Sequence, residues 1–94
     1  MIAKMYSVYD AKAGSFAQPF FSQNEALAIR AVSAVMQDER HTFWMHSEDY
    51  SVYLLGEWDD ETGRIEAIQP VVIATLTQIK QSYLTTGMEI AVNA

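Results

Sequence analysis

The chain has 94 residues, half of them apolar, and twelve acidic side chains against six basic ones give a net charge of -6. That length holds one core, read here as a single domain over residues 1–94 with its core in about 4–84, and the apolar content argues against disorder. With no cysteine there are no disulfides or thiolate metal sites, and no apolar run is long enough to span a bilayer or act as a signal peptide, so a soluble protein of the cytoplasm without membrane contact is expected.

In chain order, residues 4–9 read as a strand, with Met5, Ser7 and Tyr9 on one face and Tyr6 and Val8 on the other. Residues 10–15, which include Gly14, form a turn, and residues 16–21 are extended because Pro19 keeps Gln18 out of the helical region. This piece suits a short edge strand, where a proline is tolerated. Ser22 and Glu25 then have the spacing of a capping box and predict a helix to about Gln37, burying Ala28, Ile29, Val32, Val35 and Met36. Residues 38–47 are irregular or a short second helix, docked by Phe43 and Trp44.

Residues 51–58 form a strong strand. Strict alternation puts Val52, Leu54, Gly56 and Trp58 on one face and Tyr53, Leu55 and Glu57 on the other. The run Asp59-Asp60-Glu61-Thr62-Gly63 is a hairpin turn, with Gly63 in the left-handed position of a bulge. Residues 64–68 return as the paired strand, which Pro70 ends. A strand is favoured by composition over 71–76, but Val72, Leu76, Ile79 and Tyr83 fit a helical face, and a helix over 72–84 is expected, with 87–94 a frayed tail.

The fold class is therefore α+β: a small antiparallel sheet of three to four strands, one main helix on one face, and a possible C-terminal helix. Both faces of the strong strands are apolar or aromatic, and one helix covers only one of them. A homodimer is the favoured cover for the second face, and the C-terminal helix is the alternative.

No constellation supports catalysis. His41 and His46 are five apart, without the helical spacing of paired zinc ligands, and no third histidine or cysteine exists, so no metal or cofactor is expected. The acidic run at 59–61 lacks the alternating ligands and distant glutamate of a calcium loop. None of the serines sits in a nucleophile elbow, and no glycine-rich loop precedes a helix to cradle phosphate. The chain is expected to act by binding.

Six aromatics, Tyr6, Tyr9, Trp44, Tyr50, Tyr53 and Trp58, lie on or beside the expected strands. Bases of single-stranded nucleic acid stack on such rings, normally within a positive groove. Core and interface packing is the larger use of aromatics. Lys4, Lys12, Arg30, Arg40, Arg64 and Lys80 are spread along the chain without a cluster, which disfavours strong nonspecific binding to nucleic acid.

One ordered set of residues goes beyond composition. Tyr6-Ser-Val-Tyr-Asp10 with Lys12-Ala13, then Pro19-Phe20 and Asn24, are followed by Glu48-Asp49-Tyr50, Tyr53, Leu55-Gly56, Asp59 and Thr62-Gly63-x-Ile65. Over roughly residues 4–70 the chain resembles the small nonstructural protein of gokushovirus-type microviruses, which are single-stranded-DNA bacteriophages. Ser47 stands where that family often carries a proline. The resemblance implies a nonstructural protein of the host cytoplasm that assists viral single-stranded DNA synthesis or packaging, and it brings no catalytic residue with it.

Two modes of action are open. In the first, single-stranded DNA is bound directly, with Lys4, Lys12, Arg30, Arg40 and Arg64 on phosphates and Tyr9, Tyr53 and Trp58 on bases. In the second, a homodimeric interaction module acts on the viral replication initiator or a host replication protein without touching DNA. The negative charge favours the second mode, and the usual description of the resembled family favours the first.

Overall fold

The alternating N-terminal segment folds as the spine of an antiparallel sheet. The computed structural model describes the backbone of residues 1–93 and the surroundings of side chains as far as residue 85. Strand β1 (Ile2–Asp10) pairs along one edge with two short strands, β2 (Ser15–Phe16) and β3 (Phe20–Ser22). Its other edge carries β4 (Tyr50–Asp59), which pairs in turn with β5 (Ile65–Thr75) at the end of the sheet. The expected edge segment is thus two strands, and the sheet has five rather than three or four. The break falls at residues 17–19, where the Ala17 amide still donates to the Val8 carbonyl at 2.8 Å but Pro19 has no N–H to offer.

Helix α1 (Glu25–Met36) follows, then α2 (Thr42–Met45), a single 3-10 turn at Ser47–Asp49, and α3 (Leu76–Asn93) after the sheet is complete. The expected capping box at Ser22 does not form. Ser22 is committed to the sheet opposite Lys4, and the cap is Asn24, whose Oδ1 accepts from the Leu27 amide at 2.9 Å. A capping box exists elsewhere. Thr75 Oγ1 accepts from the Gln78 amide at 3.1 Å, and Gln78 Oε1 accepts from the Thr75 amide at 2.9 Å, which starts α3.

That box marks the second correction. Residues 71–75 continue β5, and the helix begins at Leu76, not at 72. Pro70 does not end the strand: residues 68–70 stand against the single residue Leu55 in a wide irregularity of the ladder. Because β5 is the edge strand, the N–H that proline lacks is not needed by a further strand. Helix α3 also continues through residues 87–93, where a frayed tail was expected, and Ala94 lies outside the described residues. No helix among the described residues is long and apolar enough to cross a membrane.

The core lies between the sheet and the helices. Tyr6, Val8 and Val52 from the sheet meet Ala28, Val32 and Met36 of α1 and Ala74, Leu76 and Ile79 around the start of α3. Full burial of side chains such as Val52 and Leu76 contributes about 1.5–3 kcal/mol each. Phe43 and Trp44 of α2 pack against this core as expected, while Val35 turns out to solvent and Ile29 is half-buried. Lys80 ties α3 to α2: its Nζ donates to the Trp44 carbonyl at 2.9 Å and lies 4.6 Å from the indole ring centre. The Trp44 and Tyr83 rings meet edge to face at 5.9 Å. All three helices therefore share one side of the sheet. Among the described residues, the C-terminal helix does not cover the second face.

The open aromatic face of the sheet as candidate functional site

Which side chains occupy the second face follows from the ladder register. On β1, residues Ala3, Met5, Ser7 and Tyr9 point away from the helices, opposite Trp58, Gly56, Tyr53 and Ser51 of β4. Leu55 is an extra residue in β4, and its bulge resets the alternation. Strict alternation had put Gly56 and Trp58 with Val52 and Leu54. In the fold, Trp58 shares the open face with Tyr53, and Glu57 moves to the helix side opposite Lys4.

The bulge gathers Tyr9, Tyr53 and Trp58 on one uncovered surface. Phe16 sits between the two tyrosines, with ring centroids 4.8 Å from Tyr9 and 5.4 Å from Tyr53. At the other end Phe21, opposite Met5 in the ladder, lies 5.2 Å from Trp58. Phe16 is 41% exposed and Phe21 48%. Between the clusters Ser7 is fully buried, its Oγ donating to the Ala17 carbonyl at 2.6 Å. The remaining aromatics serve the other side. Tyr6 is in the core, where burial raises its phenol pKa, Phe20 stacks on it at 5.9 Å, and Tyr50 packs on Phe43 at 4.9 Å.

Phe16 and Phe21 were not among the sequence candidates. They flank Pro19 in an extended segment, and both pair with outward positions of β1. The signal for them lay in reading the segment as two short strands rather than one.

Charge is sorted with the same parity. Asp10, Glu57, Asp59 and Glu66, the acids carried by strands, all fall on the helix side of the ladder. The open face therefore carries no strand carboxylate, in a chain of net charge -6. Neither does it gather cations. Lys4 is on the helix side; Arg30 lies exposed on α1; Arg40 follows α1 and bonds Asp38 through Nε at 3.2 Å. Arg64 lines a polar groove together with Glu57, Asp59 and Glu66. Lys12 alone stands beside the aromatic cluster, in the exposed turn between Tyr9 and Phe16. The five proposed phosphate contacts are not brought together.

The turn that ends the hairpin is held by its own backbone. Gly63 has φ +74°, as its expected left-handed role requires, and its amide donates to the Asp59 carbonyl at 2.8 Å. The Asp59 carboxylate accepts from the Glu61 amide at 2.9 Å, and that bond holds its pKa below the ordinary value. For metal, His46, Glu48 and Asp49 bring ligand atoms within 4.8 Å of one another on an exposed turn. His41 is engaged elsewhere, its Nδ1 accepting from the Phe43 amide at 3.0 Å.

A family model described as Phage ORF5 protein matches residues 3–79. The chain belongs to the phage ORF5 protein family. No curated protein and no solved structure matches the chain. The stretch shared with the ORF5 family runs from β1 to the first turn of α3, so it takes in the Leu55 bulge, the Thr75–Gln78 capping box and the complete open face.

Proposed function

We propose that this ORF5-family chain is a nonstructural accessory of phage single-stranded DNA synthesis or packaging, acting by binding and not by catalysis in the host cytoplasm. Its contact surface is the open face of the sheet, and its target is a protein of the replication machinery, either the viral initiator or a host replication protein. The observation that carries this reading is a displayed aromatic surface free of strand charge, with Lys4, Arg30, Arg40 and Arg64 placed elsewhere and Lys12 alone at its margin. Aromatic, uncharged centres with polar rims are what protein partners bury. The link to genome synthesis rests on the resemblance to the microvirus protein.

Direct contact with single-stranded DNA is the second reading, favoured by the display of Tyr9, Phe16 and Tyr53 next to Lys12. Fluorescence anisotropy of labelled single-stranded and duplex DNA, at low and moderate salt, separates the two. The protein-partner reading expects no saturable binding at low salt, together with capture of the purified initiator or host replication protein that is lost in Trp58→Ala. Salt-sensitive binding to single strands, with a log–log slope near 0.7 per phosphate contact, would replace it with direct DNA contact.

A further inference from the structure

The irregularities of the three long strands fall on one line across the sheet. In the β1–β4 ladder the register breaks between Met5 and Tyr6, where Leu55 is the extra residue. In the β4–β5 ladder the same Leu55 faces residues 68–70, three against one. Regular pairing is therefore interrupted at one level from β1 to β5, and Gly56, a residue type that weakens a strand interior, stands beside the break. Of the described ladders, only the short β1–β3 pairing at residues 4–6 crosses that level without a shift.

The two sides of the line are held differently. The buried strand side chains, from Tyr6, Ser7 and Val8 to Val52 and Ala74, all lie on the side backed by the helices. On the other side residues 2–5, 57–59 and 65–67 include none that is buried, and Gly56 is buried without a side chain. Glu57 and Glu66 stand directly opposite each other there, a like-charge pair that opposes strand pairing. Few buried apolar contacts and exposed ladder bonds mark segments that open before the rest of a fold.

We infer that the hairpin end of the sheet is an arm, hinged at the Leu55 line and moving against the helix-backed body. Its clasp is β3, which runs through Asn24 into α1 and so belongs to the body. There Phe21 and Ser22 pair with Met5 and Lys4, and the Phe21 ring meets Trp58 of the arm at 5.2 Å. The Tyr9–Phe16–Tyr53 cluster lies on the body, so arm motion changes the angle between the two halves of the aromatic surface. A target that covers both halves fixes the arm and bears the cost of ordering it. That consequence alone rests on the functional reading above; the hinge does not.

The hinge is tested on the full chain without any ligand. The chain has no cysteine, so pairs of introduced thiols can carry spin labels at exposed positions: Thr62 in the arm, Ala13 in the turn at the opposite end, and Gln37 after α1. Double electron–electron resonance should give the Thr62→Cys/Gln37→Cys pair a distance distribution at least about twice as wide as that of Ala13→Cys/Gln37→Cys. Native-state hydrogen exchange in low urea should open residues 56–59 and 65–67 while 51–54 and 72–75 stay protected. Phe21→Ala removes the ring of the clasp and should cut protection in the arm about two- to tenfold, leaving the body unchanged. The spin-label widths decide the matter even if Phe21→Ala folds poorly. Equal widths for the two pairs overturn the inference. So does exchange of arm and body through one common opening.

Discussion

The rings of Tyr9 and Tyr53 meet edge to face across the β1–β4 ladder, with centroids 5.9 Å apart and planes at 73°. They are diagonal neighbours in the register, because Tyr53 stands opposite Ser7 and Tyr9 opposite Ser51. Phe16 closes the triangle. Each ring therefore supports two others on a surface that no helix covers, and the cluster holds the short β2 strand to the sheet. Edge-to-face pairs contribute about 0.5–1.5 kcal/mol each beyond burial. Tyr53→Ala removes two of them and should lower the urea unfolding free energy by about 1–3 kcal/mol, while Tyr53→Phe leaves it nearly unchanged. Equal losses in both variants would show that the hydroxyl, not the ring, holds the cluster.

Gly56 lies where β4 and β5 come closest. A Cβ there would collide with the Glu66 carbonyl oxygen and sit 3.2 Å from the Ala67 Cα, both backbone atoms of β5. Overpacking of this kind costs about 1–3 kcal/mol. Gly56→Ala should lower the denaturation midpoint accordingly, and hydrogen exchange should localise the loss to residues 64–68. An unchanged midpoint would mean that the hairpin can open at that position without strain.

The two helix starts make opposite predictions for residues that look alike in sequence. Asn24→Ala and Thr75→Ala each remove a side-chain acceptor and should destabilise by about 1 kcal/mol. Ser22→Ala removes no cap and should stay within about 0.5 kcal/mol of wild type. Urea midpoints of the three variants check this. A Ser22→Ala loss as large as that of Asn24→Ala would restore the capping box at Ser22.

Asp59 is stabilised as a carboxylate, first by the Glu61 amide and also by Thr62. A depressed folded pKa contributes stability that is present above the unfolded value and lost as pH falls through the folded one. The Glu61 amide shift should therefore titrate with its midpoint below 3.8, the ordinary aspartate value. Asp59→Asn keeps an acceptor and should abolish that titration. A midpoint at or above 3.8 would deny the bond any preference for the charged form.

The strands and helix with clean periodicity were legible in the sequence, because alternation at 4–9 and the spacing of Ala28, Val32 and Met36 are set by burial on one face. Three things were not. A proline reads as a stop signal only if its strand has neighbours on both sides, and nothing local says that β5 is an edge. Leu55 breaks period two, yet a bulge residue has no composition of its own, although the adjacent Gly56 hinted at a close approach. The docking side of α3 depends on Ile79, Lys80 and Tyr83 meeting α1 and α2, a tertiary choice that periodicity does not express. For the site, Tyr9, Tyr53 and Trp58 could be nominated because they stand on the two strands with the clearest extended pattern. The scatter of the cations in space required the register itself.

The bulge at Leu55 makes the number of residues in β4 relative to β1 more consequential than their identity. Deleting Leu55 would remove the bulge and leave Trp58 on the aromatic surface, whereas one residue inserted into β1 between Met5 and Tyr6 would give Leu55 a partner, swing Trp58 to the helix side and lift Glu57 onto the aromatic surface. A single codon in β1 thus acts as a phase shifter for the distal hairpin. Point substitutions there grade the surface, whereas that insertion would invert it.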